Sequence, residues 1–288
     1  MKNVSVVIPT YNHSKFVGEA IESVLSSNGV CTEIIVVNDG STDDTHQMLF
    51  KYPGIRYFLT ENKGAHAALN FGITQSKNEF ISILNDDDVY HSNHLLSSVL
   101  ELESTGVDIV IARYLPFGEG PLLEQIKKHE QISTERVEFY GLLKTLFQVN
   151  WAVSTSAFCF RKSLFQSVEG FSQLSMCHDY EFLLAALFDT SGNILLSNRV
   201  GWNYRCHSAN SSKSIDALNR SAQWLAATLF RFNNYPVHIQ EYLRIISFEH
   251  FGLKDEMFSK ILERISDLSR YDMKSSSKII CDLLSVQT

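Results

Sequence analysis

The chain has 288 residues, 44% of them hydrophobic, enough for one large domain or a domain with an appendage and for a full core. Its formal net charge of -7 and lack of any basic run argue against a nucleic-acid partner, because neutralising phosphates takes clustered Lys and Arg. Cys31, Cys159, Cys177, Cys206 and Cys281 are odd in number, scattered and free of C-x-x-C spacing, which suggests neither a disulfide framework nor a zinc site and favours a reducing, cytoplasmic setting.

Residues 4–8 (Val-Ser-Val-Val-Ile) read as a buried strand ended by Pro9. Ser14 is placed to cap a helix whose apolar positions are Phe16, Val17, Ala20, Ile21, Val24 and Leu25. The apolar run before Pro9 is too short for a signal-peptide core. Strand then helix repeats: residues 33–37 are apolar, and Asn38 to Asp44 is turn chemistry leading into a helix with acidic residues in its first turn. A third strand fits 55–59, a helix 64–76, and a fourth strand 81–84, which delivers Asn85, Asp86, Asp87 and Asp88 at its carboxyl end. Short, fully apolar strands alternating with amphipathic helices predict an α/β fold with a mostly parallel central sheet flanked by helices. Ligands bind beyond the carboxyl ends of such strands, so the tips at 10–12, 38–44 and 85–88 are expected to converge on one crevice.

Further on, the pattern predicts a helix from Leu95, a strand at 107–111, a Gly- and Pro-rich loop at 116–121, a helix over 135–147 and a strand over 154–160. A helix then begins at His178 with Asp179 in its first turn. After the polar stretch 208–214 nearly everything is helical in pattern, and a boundary near Lys213 divides a domain over 1–212 from a helical extension over 213–288. No run of about 18 apolar residues predicts a transmembrane helix.

The acidic tip is the most informative segment. Carboxylates side by side repel, and protonation, basic neighbours or a divalent metal relieve the repulsion. No Lys or Arg lies within 81–90, so a metal is the simplest partner. Mg²⁺ typically binds through one or two carboxylates plus substrate phosphates, which makes a nucleotide diphosphate the other half of the site; a solvated Asp-rich turn is the alternative. Neither G-x-G-x-x-G nor G-x-x-x-x-G-K is present, and the first turn is Pro9-Thr10-Tyr11-Asn12, so metal and side chains must serve where other nucleotide folds use a glycine cradle.

In order along the chain stand Val6-Val7-Ile8-Pro9-Thr10-Tyr11-Asn12, Ile35-Val36-Val37-Asn38-Asp39-Gly40-Ser41-Thr42-Asp43, Glu61-Asn62-Lys63-Gly64 with Ala68, Asn70 and Gly72, and Leu84-Asn85-Asp86-Asp87-Asp88. Glu169-Gly170-Phe171, His178-Asp179-Tyr180 and Tyr204-Arg205-Cys206-His207 follow. The ordered set resembles a family 2 glycosyltransferase of the GT-A fold, over about residues 1–212. The resemblance implies that Asp39 hydrogen-bonds the base of a nucleotide sugar, with Pro9, Thr10, Tyr11 and Asn12 as the floor and Asn62, Lys63 and Gly64 along the other edge. It aligns the family's Asp-x-Asp-Asp with residues 85–88, so that Asp87 binds the metal, Mn²⁺ or Mg²⁺, and Asp86 faces ribose or diphosphate; Asn85 departs from the pattern. Asp179 matches the base of an inverting transferase, with His178 where the family has a further acid. Arg205 and His207 match a motif that reaches back to the diphosphate, with His207 a further metal ligand.

Each residue also has a plainer reading. Asp39-Gly40 can be only a turn, Asp43, Asp44, Asp88 and Asp179 helix caps, Lys63 a solvated charge, and His207 a structural histidine. His91 and His94, in H-x-x-H spacing, are expected at the surface. Trp151, at a strand start, can stack on a sugar or pack in the core. In the tail, Met257, Phe258, Ile261, Leu262, Ile265 and Leu268 share a helical face flanked by Lys254, Lys260, Arg264 and Arg270, which fits packing on the catalytic domain, dimerisation or peripheral contact with an anionic membrane.

The expected function is inverting, metal-dependent transfer from a UDP- or dTDP-sugar to a saccharide or glycolipid acceptor in bacterial cytoplasm, and the resemblance to the family implies a role in cell-surface polysaccharide synthesis. A nucleotidyltransferase would need a Gly-rich basic first loop that this chain lacks. The alternative is a catalytically inactive nucleotide-sugar-binding module, suggested by Asn85 and His178 at positions where acids are usual.

Overall fold

A computed structural model describes residues 1–140, 145–147, 150–188, 193–210, 217–251, 253–266 and 273–285. They fall into two compact units: Met1–Lys127 with Ala152–Phe171 and Thr190–His207, and Lys128–Trp151 with Ser172–Asp189 and Ser208–Thr288. The boundary expected near Lys213 lies outside the described residues.

The first unit is built on one eight-stranded sheet of order β3-β2-β1-β4-β7-β6-β8-β5. Its strands are β1 (Lys2–Thr10), β2 (Val30–Asn38), β3 (Arg56–Leu59), β4 (Phe80–Ile83), β5 (Val89–Tyr90), β6 (Ile109–Gly118), β7 (Phe158–Arg161) and β8 (Ile194–Cys206). The half containing β3, β2, β1 and β4 is parallel throughout. Val4, Val6, Val7 and Ile8 of β1 are fully buried, as a strand covered on both faces requires. β7 runs antiparallel between β4 and β6, β5 pairs antiparallel with β8, and β6 and β8 are parallel, so the sheet is mixed. Helices α1 (Val17–Leu25), α2 (Thr45–Leu49) and α3 (Ala65–Gln75) follow β1, β2 and β3 in the chain, α4 (His94–Thr105) follows β5, α5 (Pro121–Tyr140), whose residues from Lys128 on belong to the second unit, follows β6, and α6 (Lys162–Ser167) follows β7. Gly72 lets α3 lie on the sheet, since a Cβ there would stand 2.5 Å from Val7 Cγ1.

Several local expectations change. α1 begins at Val17 with Phe16 at its N-cap and no side-chain cap bond, and the Ser14 amide donates to Asp43 Oδ2 at 3.1 Å. β6 extends through Pro116, where a loop was expected. Residues 155–157 form a 3₁₀ turn and the strand starts only at Phe158, because Ser154 Oγ accepts the Ser156 amide at 3.2 Å in place of a ladder bond. α5 ends at Tyr140, and 141–144 of the helix expected over 135–147 lie outside the described residues. β8, thirteen residues long, was not anticipated.

In the second unit lie α7 (His178–Phe188), α8 (Ala217–Leu229), α9 (Val237–Phe251), α10 (Asp255–Ser266) and α11 (Met273–Ser285). Residues Phe182 to Ala186 of α7 are fully buried, Tyr180 stacks with Trp224 of α8 at 6.2 Å, and α11 packs along α8. Phe258, Ile261 and Ile265 bury the expected apolar face of α10, with Phe258 5.3 Å from Phe232 and Arg244 over its ring. Leu268 and Arg270 of that pattern lie outside the described residues. Trp151 is buried in a turn rather than at a strand start, the core-packing alternative.

Candidate active site

The tips of β1 and β2 are stitched by Asn12, which adopts a left-handed φ of 56°. Its Oδ1 accepts the amides of Thr42 at 2.7 Å and Asp43 at 3.3 Å, and its own amide donates to Ser41 Oγ at 2.9 Å. Asn tolerates that backbone region better than most residues. Pro9 and Thr10 are buried, whereas Tyr11, 46% exposed, and Asn12 are open to solvent, so of the expected floor these two offer accessible faces. Pro9 is tolerated in a central strand because β4 pairs with β1 only as far as Val7, leaving no ladder bond on that side to lose.

Asp39 is 4% exposed and fixes the start of α3: Oδ1 accepts the Lys63 amide at 3.0 Å and Oδ2 the Gly64 amide at 2.8 Å. Gly40 turns at φ 75°, and a Cβ there would come within 3.0 Å of the Asn62 amide. Asp39, Thr60, Glu61, Lys63, Ala67 and Phe71 line a cavity of about 390 Å³, within the range that takes a small molecule. Asn62 is exposed beside it, and Lys63 Nζ lies 3.6 Å from Glu61 with its side chain 68% exposed.

At the acidic tip each side chain has a different fate. Asn85 turns away into the 3₁₀ turn: its amide donates to Ser156 Oγ at 2.9 Å, its Nδ2 to Ser154 Oγ at 2.9 Å, and its Oδ1 accepts Thr155 Oγ1 at 2.9 Å. Asp88 is buried, accepting Ser156 Oγ at 2.6 Å and the Arg205 amide at 3.0 Å; it ties β4 to the end of β8 instead of capping α4, whose N-cap is Asn93. Burial, reinforced by the Asp87 carboxylate, pushes the Asp88 carboxyl well above the usual range. Asp86 Oδ1 meets His13 Nδ1 at 2.7 Å, while Oδ2 is buried without a hydrogen-bond partner. Burial raises the Asp86 carboxyl despite that imidazole. For His13, burial lowers the pKa, but the Asp86 hydrogen bond and the charges of Asp86, Asp87 and Asp43 outweigh it and hold the ring above its ordinary value.

Asp87 Oδ2 stands 3.0 Å from His207 Nε2, both side chains 13% exposed. His207 also leans on Phe16, 4.6 Å between ring centroids, and meets the His13 ring edge-on at 5.7 Å. Arg205 Nε donates to the Asp87 carbonyl at 2.7 Å, its Nη2 to Glu19 at 2.5 Å, and its guanidinium lies 4.4 Å over Phe117. The expected metal ligands are therefore neighbours, and Arg205 braces the same loop.

No group of three or more His, Cys, Asp or Glu able to hold a metal occurs among the described residues. The donor set nevertheless fits a cation completed by a ligand. Two groups bonded cis to one octahedral cation at about 2.1 Å stand about 3 Å apart, the separation of Asp87 Oδ2 and His207 Nε2, and phosphate oxygens and water would supply the remaining positions.

The second unit holds Asp179 in the first turn of α7, 7% exposed. Oδ2 accepts Asn150 Nδ2 at 2.9 Å and Oδ1 is buried without a hydrogen-bond partner. Burial raises its carboxyl, with the neighbouring His178 working the other way; burial in turn lowers His178, whose Nδ1 sits 3.2 Å from the Leu174 carbonyl. Two residues on, Glu181 is paired with Arg231 at 2.5 Å, both side chains at most 1% exposed.

The sequence matches Glycosyl transferase family 2 over residues 5–168, more than half of the chain. This chain belongs to glycosyl transferase family 2. An uncharacterized glycosyltransferase of Rickettsia typhi is 32% identical over 208 residues, 68% of this chain and 64% of that protein. A GalNAc(5)-diNAcBac-PP-undecaprenol beta-1,3-glucosyltransferase of Campylobacter jejuni is 31% identical over 144 residues, 46% of each. The chain thus spans from about half to two thirds of the length of these curated relatives. Among solved structures, S. aureus TarS in complex with UDP-GlcNAc superposes with a TM-score of 0.65 at 17% identity, covering 99% of this chain and 89% of that one. Glucosyl-3-phosphoglycerate synthase of Mycobacterium tuberculosis, in complex with Mn²⁺, UDP and phosphoglyceric acid, superposes at 0.56 and 18% identity, covering 80% and 78%. The fold is that of the GT-A glycosyltransferases of this family.

Sequence reasoning overlooked two parts of the site. His13 directly follows the Pro9-Thr10-Tyr11-Asn12 motif, and that adjacency was a usable signal. The Ser154-Thr155-Ser156 turn is about 70 residues from the tip it holds and carried none. His94, expected at the surface, is fully buried against Tyr90, with ring centroids 4.2 Å apart, and burial drives its pKa down to about 3. His91 Nε2 lies 3.0 Å from Asn203 Oδ1. Among the described residues no helix is long and apolar enough to cross a membrane.

Proposed function

We propose that this protein is an inverting, metal-dependent glycosyltransferase that moves a sugar from a UDP- or dTDP-sugar to a hydroxyl of a saccharide or glycolipid acceptor, at the cytoplasmic side of a bacterial membrane, in cell-surface polysaccharide synthesis. The observation that carries the reading is the Asp87 and His207 pair, two ligand-type groups 3.0 Å apart in a tip whose Asn85 and Asp88 side chains are turned aside. The undecaprenol-linked acceptor in the name of the Campylobacter relative supports the lipid-linked saccharide class, and the UDP-sugar in the TarS complex supports the donor class.

The machinery is assigned within residues 1–212. Asp39 would accept from the imide N–H of uracil or thymine, an interaction that cytosine cannot make. Tyr11, Asn12, Asn62, Lys63 and Gly64 surround that base, with Pro9 and Thr10 supporting the turn beneath. Asp86, set by His13, would face the ribose or diphosphate. Asp87 and His207 would hold Mn²⁺ or Mg²⁺, which when bound offsets the charge that grows on the departing nucleoside diphosphate. Arg205 adds a fixed positive charge to the loop carrying Asp87. Asp179 is the base: its free Oδ1 takes the proton of the acceptor hydroxyl while that oxygen attacks the anomeric carbon and the bond to the diphosphate breaks, which inverts the configuration. A carboxyl raised by burial is a stronger base than an exposed one, as this step needs.

Calorimetric titration with UDP, dTDP, GDP, CDP and ADP, with Mn²⁺ and with EDTA, tests the reading. Metal-dependent binding of UDP or dTDP that Asp87→Ala abolishes is the expected result. Binding of none of them, or binding indifferent to metal and to Asp87, would remove the transferase reading. The inactive-module alternative predicts the same binding but neither turnover nor donor hydrolysis across a broad acceptor panel.

A further inference from the structure

Ser154, Thr155 and Ser156 are consecutive, nearly fully buried, and all three hydroxyls are spent on the acidic tip. Burying three hydroxyls in a row is costly unless each is bonded, and small apolar residues would close a turn with less penalty. The bonds made here are selective. Asn85 is gripped at its amide, its Nδ2 and its Oδ1, and Asp88 at Oδ2, whereas the described bond of the Asp87 carboxylate goes to His207. Val153, just before the turn, adopts a φ of 56°, a conformation that β-branched residues seldom accept and that persists only where the surroundings over-determine it.

We propose that the Ser154-Thr155-Ser156 turn is the positioning element of the cation site, with Asn85 as its latch: it rotates residues 85 and 88 inward so that Asp87 alone of the three is presented beside His207. Position 85 is then a structural fastening and not a ligand. The proposal rests on the donor-site reading above and adds residues that would not touch metal or donor.

Mn²⁺ titrations followed by the EPR signal of free Mn²⁺, with UDP present, test it on wild type, Ser156→Ala, Thr155→Val, Thr155→Ser and Asn85→Asp. Removing a group bonded directly to a metal ligand typically weakens metal binding by about 10- to 100-fold; the turn acts on Asp87 one step removed, through residues 85 and 88, so Ser156→Ala and the near-isosteric Thr155→Val should each lose about tenfold, the low end of that range. Thr155→Ser, which keeps the hydroxyl, should stay within about threefold of wild type. Thermal unfolding in EDTA establishes that each protein is folded at the assay temperature, and Thr155→Val preserves side-chain shape should Ser156→Ala not fold. Wild-type-like affinity in both hydroxyl deletions, or a gain above about tenfold in Asn85→Asp, would overturn the proposal, the latter by making residue 85 a ligand. Failure of wild type itself to bind Mn²⁺ with UDP would overturn the donor-site reading first, which keeps the two failures apart.

Discussion

Two short acidic segments, Asn85 to Asp88 at the end of β4 and His178 to Glu181 at the start of α7, handle buried negative charge in opposite ways. In α7 the burden is divided sharply: Glu181 is neutralised by the Arg231 guanidinium, while Asp179 keeps one carboxamide partner and one unpartnered oxygen. At the tip the charge meets the Ser156 hydroxyl, the imidazoles of His13 and His207 and the Arg205 main-chain amide, and burial leaves Asp86 and Asp88 both above the ordinary carboxylate range. A full ion pair removes a group from chemistry. A half-satisfied carboxyl can still take a proton, and a tip of carboxylates met by weaker partners still gains from a cation.

The sharpest way to break this contrast is Asp179→Asn. Loss of a general base lowers kcat by about 10²- to 10⁴-fold, and calorimetric donor binding should stay unchanged; a variant within about threefold of wild type would end the base assignment. The same carboxyl fixes the acid limb of the rate profile. Because Asp179 must be ionised to accept a proton and its pKa is raised by burial, kcat should fall as pH drops through a value above the usual Asp range, and Asp179→Asn should erase that limb. Glu181, on the other side of the contrast, should matter to stability. Arg231→Met takes the guanidinium away from the buried Glu181 carboxylate, and breaking a buried ion pair costs about 3–5 kcal/mol, readable as a lower midpoint in urea.

The half of the sheet that carries Asp39 and Asp87 was legible in the sequence because its strands are buried on both faces and read as unbroken apolar runs. The other half was not. Within β8, Ser197, Asn198, Arg199 and Gly201 break any alternation, and what makes them acceptable lies far away in the chain: Glu101 and Ser98 of α4 each meet Arg199 at 3.0 Å. Gly201 leaves room for His94, whose Nδ1 would stand 2.2 Å from a Cβ at that position. The candidate site divides similarly. Asp39, Asp87 and His207 were singled out through local motifs, but no local pattern links Asn85 to a turn near residue 155.

His94 sharpens the contrast from the basic side, as a buried titratable group with no described partner on either ring nitrogen. The folded ring stays neutral down to about 3, whereas the unfolded chain takes up a proton near the ordinary 6.5. Between those values the unfolded state binds more protons, so stability falls as pH falls, by at most about 1.4 kcal/mol per pH unit from this one group. Equilibrium unfolding of His94→Leu against pH should show that slope reduced; an unchanged slope would mean that the imidazole is not held neutral.

The smallest expected effect concerns Val153. A left-handed backbone costs a non-glycine residue roughly 1–2 kcal/mol, and more where the side chain is β-branched, whereas Asn tolerates it through its short polar side chain. Val153→Asn gives up some half-buried apolar surface, which offsets part of the relief, so a net gain of about 0.5 kcal/mol and a melting temperature higher by about 1–2 °C are expected. If the turn holds its shape because the hydroxyl bonds to Asn85 and Asp88 over-determine it, Mn²⁺ affinity should be unchanged while stability rises. A variant that gained stability and lost Mn²⁺ binding would show instead that the strained backbone itself helps to aim the tip.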